Sequence, residues 1–395
     1  MTKKTIRDLD LAGKRVLIRV DFNVPIGEGA VGDDTRIRAS LSTIRHAIDH
    51  GAIVILASHL GRPKGQPKPE LTLQPVAERL SILLGRPIRF AADCVGETAQ
   101  EAVMAAEPGD VVLLENLRFH SGEEKNDEQF AAKLARLADV YINDAFGAAH
   151  RAHASTAGIV AHVGAAGAGL LMDAELKHLG ALLASPERPF VAVLGGSKVS
   201  GKLEVLENLL GRIDALLIGG AMAYTFFRAR GYPTGSSLVE PALLDATRRV
   251  EEGASDRGVN LELPTDHVVA DRLEAGSAHE TIEVTDRAIG SRLGLDIGPR
   301  TSATYAEAIA AARTVVWNGP MGVFEIDEFA SGTLAVANAV ANSPAKTIIG
   351  GGDSIAAVAK AGVTDRITHI STGGGASLEF LGGRTLPGVA ALPDA

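Results

Sequence analysis

The stretch FVAVLGGSKVSGK, residues 190–202, decides the fold prediction for this chain of 395 residues. Its apolar run (190–194) shows no alternation of polar and apolar residues, which is typical of a strand buried on both faces of a parallel sheet. A glycine turn (195–196) follows and leads into a predicted helix. Glycine turns between a strand and a helix leave backbone N–H groups free to bind phosphate.

The same pattern recurs along the whole chain. Similar apolar runs occupy residues 15–22, 52–58, 111–116, 140–144, 215–220, 267–271, 314–319, 346–352 and 369–375. Alanine-rich segments with helical composition lie between them, for example 126–139 and 329–343. Repeated strand–helix units predict an α/β fold of parallel sheets with helices on both faces. The length allows two domains, and we place the boundary within residues 170–190. A helix of about 12 residues, stopped by Pro186 and Pro189, is expected there.

Composition limits the classes of function. Apolar residues make up 46% of the chain and charged residues 22%, as in ordinary globular proteins. The net charge of −9 argues against nucleic acid as a partner. The apolar runs are too short to span a bilayer, and the N-terminus lacks a secretory signal, so we expect a cytoplasmic protein without membrane contact. Cys94 is the only cysteine, which excludes an intrachain disulfide, and we interpret it as a buried core residue.

In the first half, cationic and imidazole side chains follow predicted strands. Ligands of open α/β sheets bind beyond the carboxyl ends of strands, and arginine forks suit phosphate or carboxylate ligands. The candidates are Asp21, Asn23, Arg36, His59, Arg62, Arg118 and Arg151. Taken singly, they also fit strand-ending turns, solvated arginines or a structural histidine; together they favour an anion site. We interpret His150 and His153 as hydrogen-bonding or structural residues, because no ligand spacing there indicates a metal site.

In the second half, glycine clusters replace the arginines. Residues 196–202 match G-x-x-x-x-G-K, but Leu203 stands where a P-loop needs a hydroxyl, so a P-loop is not predicted. Lys198 and Lys202 are still well placed to meet phosphate oxygens. Glu325 follows the turn of VVWNGPMGVFE, Gly351, Gly352 and Asp353 follow KTII, and Gly373–Gly375 precede a predicted helix. The alternatives are a solvated lysine pair, a surface acid and plain tight turns. Asp353 could hold Mg²⁺.

These motifs together resemble the phosphoglycerate kinase family. The resemblance runs through RVDFNVP, DDTRI, SHLGRP, LLENLRFH, NDAFGAAHRAHAS, GGSKVSGK, WNGPMGVFE, GGGDS and STGGGASLE, essentially the whole chain. It implies two Rossmann-like domains joined by a hinge helix. Residues 1–172 with 378–395 would bind 3-phosphoglycerate, and residues 173–377 would bind MgATP or MgADP, with 173–189 as interdomain helix and hinge. A monomer is the family expectation.

The resemblance also assigns roles position by position. The phosphoglycerate residues would be Asp21, Phe22, Asn23, Arg36, His59, Leu60, Gly61, Arg62, Arg118 and Arg151. The nucleotide residues would be Lys202, Asn318, Gly319, Glu325, Gly351, Gly352, Asp353 and Ser354, with Asp353 as the metal ligand. The catalytic residues would be Arg36, Lys198, Gly373, Gly374 and Gly375. The chain departs from many family members at Gly201, commonly Asp, and Ser197, commonly Ala, which puts in doubt an acid that positions Lys202.

The implied reaction is reversible phosphoryl transfer between 1,3-bisphosphoglycerate with ADP and 3-phosphoglycerate with ATP. Two alternatives stay open at this point. A two-domain nicotinamide dehydrogenase is disfavoured, because no clear G-x-G-x-x-G follows the first strand. A non-catalytic nucleotide-binding scaffold is disfavoured because every expected ligand position is filled.

Overall fold

The computed structural model describes residues 2–395, and the fold divides into two compact units. Unit 1 comprises residues up to Lys177 together with Thr385–Ala395, and unit 2 comprises His178–Arg384. The boundaries predicted from the sequence lie a few residues before these two divisions.

Unit 1 is built on a six-stranded parallel sheet of order β5-β6-β4-β1-β7-β8. Its strands, with a small hairpin, are β1 Arg15–Arg19, β2 Ile26–Gly27, β3 Ala30–Val31, β4 Ile53–Ala57, β5 Arg89–Ala91, β6 Val111–Leu114, β7 Val140–Asn143 and β8 Ala165–Ala168. The helices that begin in this unit are α1 Thr35–Asp49, α2 Gln74–Leu84, α3 Gly96–Met104, α4 Ser121–Glu124, α5 Glu128–Ala135 and α6 Leu170–Ala184. All residues of β6 and β7 are buried, so both faces of the sheet are covered.

Unit 2 repeats this plan with a second six-stranded parallel sheet, of order β11-β10-β9-β15-β16-β17. Its strands are β9 Phe190–Leu194, β10 Ala215–Ile218, β11 Asn260–Glu262, β12 Asp266–Ala270, β13 His279–Glu283, β14 Leu293–Ile297, β15 Thr314–Asn318, β16 Lys346–Gly350 and β17 His369–Ser371. Its helices are α7 Leu203–Leu209, α8 Ala223–Ala229, α9 Leu244–Asp256, α10 Pro299–Ala310, α11 Ser331–Asn342, α12 Gly352–Lys360 and α13 Gly375–Leu381. The predicted α/β class with two parallel sheets is confirmed.

One strand prediction is wrong. The run 267–271 was expected to join a parallel sheet, but β12 is the centre of a separate three-stranded antiparallel sheet of order β13-β12-β14. All five residues of β12 are buried. An antiparallel strand covered on both faces therefore carries the same continuous apolar pattern as a parallel one, and periodicity cannot separate them.

Helix α6 extends over 15 residues and ends at Ala184, just before Pro186, as the proline signal predicts. The division between the two units falls within this helix. The C-terminal tail carries a final short helix, α14 Pro387–Ala390, and lies against unit 1. There Gly388 N–H donates to the carbonyl of Ala149 at 2.8 Å, and Lys3 pairs with Asp394 at 2.8 Å.

Candidate active site

The arginine–histidine cluster of unit 1 forms where three parallel strands end. His59 follows β4, Arg118 follows β6 and Arg151 follows β7, while Arg36 lies in the first turn of α1. Electrostatic contacts join His59 to Arg36 and Arg118, and Arg118 to Arg151. The structure therefore brings these four predicted residues into one field of positive charge.

Hydrogen bonds fix the loops that carry this cluster. Arg36 Nη1 contacts Asp21 Oδ2 at 3.3 Å and the carbonyl of Asn23 at 3.2 Å. Asn23 Oδ1 accepts from Gly61 N–H at 2.9 Å. Arg118 Nη1 donates to the carbonyl of Gly61 at 2.8 Å, and its buried Nε makes no hydrogen bond within residues 2–395. Gly61 has a φ of +61°, and an added Cβ there would lie 2.7 Å from Leu71, so this turn requires glycine.

A buried network beneath the cluster was missed by the sequence analysis. Arg19, the last residue of β1, has no exposed surface. Its Nε donates to Ser155 Oγ at 2.8 Å, and Ser155 Oγ in turn donates to Glu123 Oε1 at 2.6 Å. A buried charge requires such partners. The signal that could have revealed it is an arginine flanked by apolar residues, in the run VLIRV at residues 16–20.

This network fixes the protonation of His59. Burial, reinforced by the charges of Arg19 and Arg118, holds the pKa of His59 well below its ordinary value. His59 Nδ1 lies 3.1 Å from Arg19 Nη2. Because a guanidinium can only donate, Nδ1 accepts, and the proton of the neutral ring is on Nε2. His59 therefore presents a neutral N–H donor within a cluster of permanent cations.

His153, interpreted as structural, lies beside this network and carries no charge at neutral pH. Burial first, and then Arg118, lower the pKa of His153 to about 4. Its Nδ1 has no hydrogen-bond partner within the described chain and lies 3.8 Å from Glu123 Oε1. His150 Nδ1 bonds the carbonyl of Gly147 at 3.0 Å.

The remaining predicted residues of unit 1 differ in exposure. Phe22 and Leu60 are buried, whereas Arg62 and Arg151 are exposed. Neither exposed guanidinium has an ion-pair partner among residues 2–395, so both are free to bind an anion. Arg62 follows Gly61 in the same loop, but no interaction links it to Arg36 or Arg118.

In unit 2, three glycine turns approach one another more closely than side chains would permit. A Cβ on Gly319, whose φ is +97°, would lie 2.2 Å from the carbonyl oxygen of Gly195. A Cβ on Gly220 would lie 2.5 Å from the amide nitrogen of Gly196. The turns at Gly196 and Gly319 line a cleft of about 240 Å³ together with the start of α12. We call this cleft the glycine cradle; it is lined by Gly196, Ser197, Lys198, Gly201, Lys202, Asn318, Gly319, Gly351, Gly352, Asp353, Ser354 and Leu378.

The cradle places cationic, anionic and donor groups together. Burial lowers the pKa of Lys202, and the carboxylate of Asp353 opposes that shift. Asp353 lies in the first turn of α12 and is exposed. Asn318 is buried, and its Nδ2 has no hydrogen-bond partner within the described residues. Ser354 Oγ accepts from Gly319 N–H at 2.5 Å, which ties the turn after β15 to α12.

Lys198 is exposed, and its loop is held by an acid that the sequence analysis did not identify. Glu240 accepts from Val199 N–H at 2.6 Å, from Ser200 N–H at 3.1 Å and from Ser200 Oγ at 2.6 Å. The Cβ of an acid at Gly201 would meet no atom within 4 Å. Glu240 therefore anchors the backbone beside Lys198, and this anchoring does not depend on an acid at position 201.

A second cleft of about 280 Å³ adjoins the cradle and shares Gly196, Ser197 and Asp353 with it. Its other walls are largely apolar or aromatic, with Tyr224, Phe227, Leu295, Pro320, Met321 and Val323 among them. The predicted residue Glu325 lies at this cleft, not in the cradle. Sequence reasoning missed the apolar walls, because their residues come from separate segments and look like ordinary core. An apolar cleft that opens onto a phosphate-binding turn suits a nucleoside.

His267 contributes a buried polar atom to this second cleft. Tyr224 Oη lies 2.6 Å from His267 Nδ1 and is also hydrogen-bonded to Ser237, whose Oγ accepts from Gly294 N–H at 2.9 Å. His267 Nε2 has no hydrogen-bond partner within residues 2–395. Burial lowers the pKa of His267 to about 4, so the ring is neutral.

Gly373, Gly374 and Gly375 line neither cleft. They connect β17 to α13, and Gly374 has a φ of +53°. Gly373 N–H donates to Ser371 Oγ at 3.3 Å. The turn before α13 is as predicted, but a ligand contact of these glycines stays a prediction.

The fold and these sites define an α/β protein of two parallel-sheet units, one with an arginine–histidine cluster and the other with a glycine-lined cleft. The "Phosphoglycerate kinase" family matches residues 6–384. Proteins called phosphoglycerate kinase from Moorella thermoacetica and Chloroherpeton thalassium are 58% and 54% identical over 394 and 398 residues, covering 100% of each chain. Among solved structures, phosphoglycerate kinase from Coxiella burnetii aligns with a TM-score of 0.89 and 44% identity over 98% of both chains. The enzyme from Pyrococcus horikoshii OT3 aligns with a TM-score of 0.86 and 37% identity over 99% of this chain and 98% of the other.

The chain belongs to the phosphoglycerate kinase family, and the resemblance predicted from its motifs is confirmed. Within residues 2–395, no helix is both long and apolar enough to cross a membrane.

Proposed function

We propose that this protein catalyses reversible phosphoryl transfer between 1,3-bisphosphoglycerate with ADP and 3-phosphoglycerate with ATP. The observation that carries the proposal is the pair of adjoining clefts in unit 2, which suit the nucleoside and the polyphosphate of one nucleotide. Unit 1 offers the complementary anion site. Family membership gives the reaction class, and we assign these two sites to it.

The cluster in unit 1 binds the phosphoglycerate. Its cations match the charge of a phosphate and a carboxylate, and His59 adds a neutral donor suited to a hydroxyl or phosphate oxygen. We assign contact with the ligand to Asp21, Phe22, Asn23, Arg36, His59, Leu60, Gly61, Arg62, Arg118 and Arg151. Asp21 and Asn23 also orient Arg36, since both hydrogen-bond its guanidinium.

The nucleotide binds across the two clefts of unit 2. Its base and ribose occupy the apolar cleft, where Glu325 is available to accept from a ribose hydroxyl. Its phosphates occupy the glycine cradle and contact Lys202, Asn318, Gly319, Gly351, Gly352 and Ser354. The unpartnered Nδ2 of Asn318 and the N–H groups at the start of α12 supply donors without added charge.

Asp353 fits the requirements of a Mg²⁺ ion that arrives with the nucleotide. Mg²⁺ prefers one or two carboxylates together with substrate phosphates and water. Asp353 is an exposed carboxylate at the junction of both clefts, next to the cationic Lys202. When bound, Mg²⁺ would neutralise charge on the nucleotide phosphates. We expect Asp353→Asn to raise the Mg²⁺ concentration for half-maximal activity about tenfold, with the affinity for 3-phosphoglycerate unchanged in calorimetry.

In the direction of ATP consumption, a carboxylate oxygen of 3-phosphoglycerate attacks the γ-phosphorus. The new bond is an acyl-phosphate P–O bond, and the bond to the β-phosphate oxygen breaks, so that ADP leaves. The attacking carboxylate is already ionised at neutral pH, so no general base is needed. Arg36 and Lys198 neutralise the oxygens of the group in transfer, and the turn of Gly373–Gly375 adds donors through the N–H groups of Gly374 and Gly375.

Each unit carries one ligand, so transfer requires the two ligands to come within bonding distance of each other. We propose that the units close over both substrates, with helix α6 and the segment up to Pro189 as the hinge. The functional domains are those predicted from sequence, 1–172 with 378–395 and 173–377. We further propose a cytoplasmic monomer without nucleic-acid or membrane partners, which agrees with the net charge of −9.

The first experiment is a coupled assay with 3-phosphoglycerate, MgATP, glyceraldehyde-3-phosphate dehydrogenase and NADH. We expect loss of NADH absorbance that requires both substrates. Folded protein that binds MgATP but gives no turnover would contradict the enzyme proposal and favour a nucleotide-binding scaffold.

A further inference from the structure

A cluster of three metal-ligating side chains lies in unit 1, outside the substrate cluster. Asp93 and Cys94 follow β5, and His120 follows the turn after the neighbouring parallel strand β6. The carboxyl ends of these two strands bring the three residues together. One ligand atom from each lies within 4.8 Å of those from the other two.

Hydrogen bonds and a ring contact hold the three metal-ligating side chains in place. His120 Nε2 contacts Asp93 Oδ1 at 2.7 Å, and the imidazole stacks on Phe130 with ring centroids 5.3 Å apart. Asp93 Oδ1 also accepts from Cys94 N–H at 2.6 Å, which fixes the backbone beside the thiol. Cys94 is a free cysteine with no exposed surface. Its buried position was predicted from the sequence and is confirmed.

The site has an open face. A cavity of about 510 Å³ is lined by Asp93 and His120 together with Lys68, Thr72, Glu115 and Phe119. An ion held by the three side chains would therefore meet solvent on the cavity side and have room for a fourth ligand there. Three protein ligands with one open position is an arrangement that zinc adopts in proteins.

We propose that Asp93, Cys94 and His120 bind a thiophilic divalent cation of the zinc class, with water from the cavity as the fourth ligand. The mixed sulfur, nitrogen and oxygen set selects against Mg²⁺ and Ca²⁺, which prefer oxygen ligands. Binding forms a metal–sulfur bond and releases the thiol proton to solvent. The proton that His120 Nε2 donates to Asp93 moves to Nδ1, so that Nε2 binds the ion through its lone pair and the ring stays neutral. With metal–ligand lengths of about 2.0–2.3 Å and tetrahedral angles, the Nε2 and Oδ1 atoms must separate by about 0.6 Å and the thiolate must move inward.

The site lies close to the proposed substrate-binding residues, so we expect metal binding there to affect activity. His120 comes two residues after Arg118 and directly precedes α4, which contains Glu123 of the buried network. An ion that fixes His120 to the segment at Asp93 would stiffen the loop that carries Arg118. We therefore expect occupancy to change KM for 3-phosphoglycerate and to leave nucleotide affinity unaltered.

The test is a Co²⁺ titration of the metal-free full chain, followed by optical absorption. We expect a saturable thiolate-to-cobalt charge-transfer band at one equivalent, release of one proton per ion, and loss of the band when Zn²⁺ is added. Cys94→Ser should abolish the band. His120→Gln should weaken Co²⁺ binding by about 10- to 100-fold, and because this residue is half-buried it keeps the test valid if the core variant fails to fold.

The control is the double variant His46→Gln/His50→Gln. These two histidines are four residues apart at the end of α1, with ring centroids 4.1 Å apart, and form a competing surface chelate. We expect the charge-transfer band to persist in this variant. No charge-transfer band in the folded protein, or a band that survives Cys94→Ser, would overturn the proposal.

Discussion

The two proposed anion sites of this protein are formed by different parts of the chain. Unit 1 uses side chains: guanidinium groups and a neutral imidazole, the imidazole held by a buried Arg19–Ser155–Glu123 network. Unit 2 uses mainly backbone: turns whose glycines lie too close together for a Cβ, and the N–H groups at the start of α12. A site made of side chains is sensitive to loss of a charge, whereas a site made of backbone is sensitive to gain of a methyl group.

The largest effect is expected for Arg36→Ala, which tests the side-chain site. If Arg36 neutralises the group in transfer, kcat should fall by about 10²- to 10³-fold, while MgADP affinity stays unchanged. The coupled assay and calorimetry measure the two quantities. Arg38→Ala is the matched control, because Arg38 is exposed and pairs only with Asp34 at 2.7 Å, a contact of small energetic value. An Arg36→Ala enzyme with wild-type kcat would contradict the assigned role.

The backbone site should respond to one added methyl group. Gly319→Ala places a Cβ against the carbonyl of Gly195 at a φ of +97°, so the turn must shift. We expect MgADP affinity to fall by about tenfold or more, corresponding to the roughly 1–3 kcal/mol of strain at such positions. Gly201→Ala is the control, since its Cβ meets no atom within 4 Å. Equal MgADP affinities for the two variants in calorimetry would show that close approach of the backbone is not what shapes the cradle.

A smaller effect on kcat is expected when a side chain of unit 2, that of Glu240, is removed. Glu240→Ala removes the acceptor for Val199 and Ser200, and with it the anchor of the loop that carries Lys198. Loss of about 1 kcal/mol of loop ordering should lower kcat by about three- to tenfold, with nucleotide affinity nearly constant. Glu252→Ala, at an exposed position of α9, is the control. An unchanged kcat for Glu240→Ala would mean that Lys198 needs no anchoring.

The last effect concerns the pH dependence of stability and leaves activity aside; it compares a buried histidine and a buried aspartate of unit 1 with the corresponding pair of unit 2. His153 and His267 have a pKa of about 4, below the ordinary value near 6.5, so the unfolded chain binds more protons between these values. Stability is therefore lost as the pH falls from 6.5 towards 4. Asp144 and Asp296, whose pKa burial raises to about 7, oppose this trend, because their contribution is lost as the pH rises towards 7.

The histidine contribution can be isolated with the double variant Tyr224→Phe/His267→Phe, which removes the titrating ring together with its partner. Urea unfolding at pH 7 and pH 5 should show that the variant loses about 2 kcal/mol less stability than the wild type on acidification. The two aspartates are present in both proteins and cancel in the comparison. An identical loss in variant and wild type would show that His267 is not held neutral.

Much of the candidate site was predictable because its signals are local. His59 and Arg118 directly follow apolar runs, and the ends of parallel strands meet at one edge of the sheet. The glycine clusters likewise indicate turns, and a helix begins directly after each of these turns. The parts that could not be predicted involve residues whose role depends on distant partners, such as Glu123 beneath Arg19 and Glu240 beside Lys198. The same limit explains the wrong sheet assignment of β12, since burial on both faces does not specify the direction of a neighbouring strand.

The sequence by itself determined the α/β class, the strand-end positions of the anion-binding groups and, through its ordered motifs, the family. These follow from short-range patterns, because periodicity and turn chemistry act over a few residues. Only the tertiary structure decided the tautomer of His59, the neutral state of His267, the apolar cleft beside the glycine cradle and the meeting of Asp93, Cys94 and His120. Each of these depends on burial and on contacts between segments far apart in the chain, and therefore arises only when the strands have been assembled into sheets.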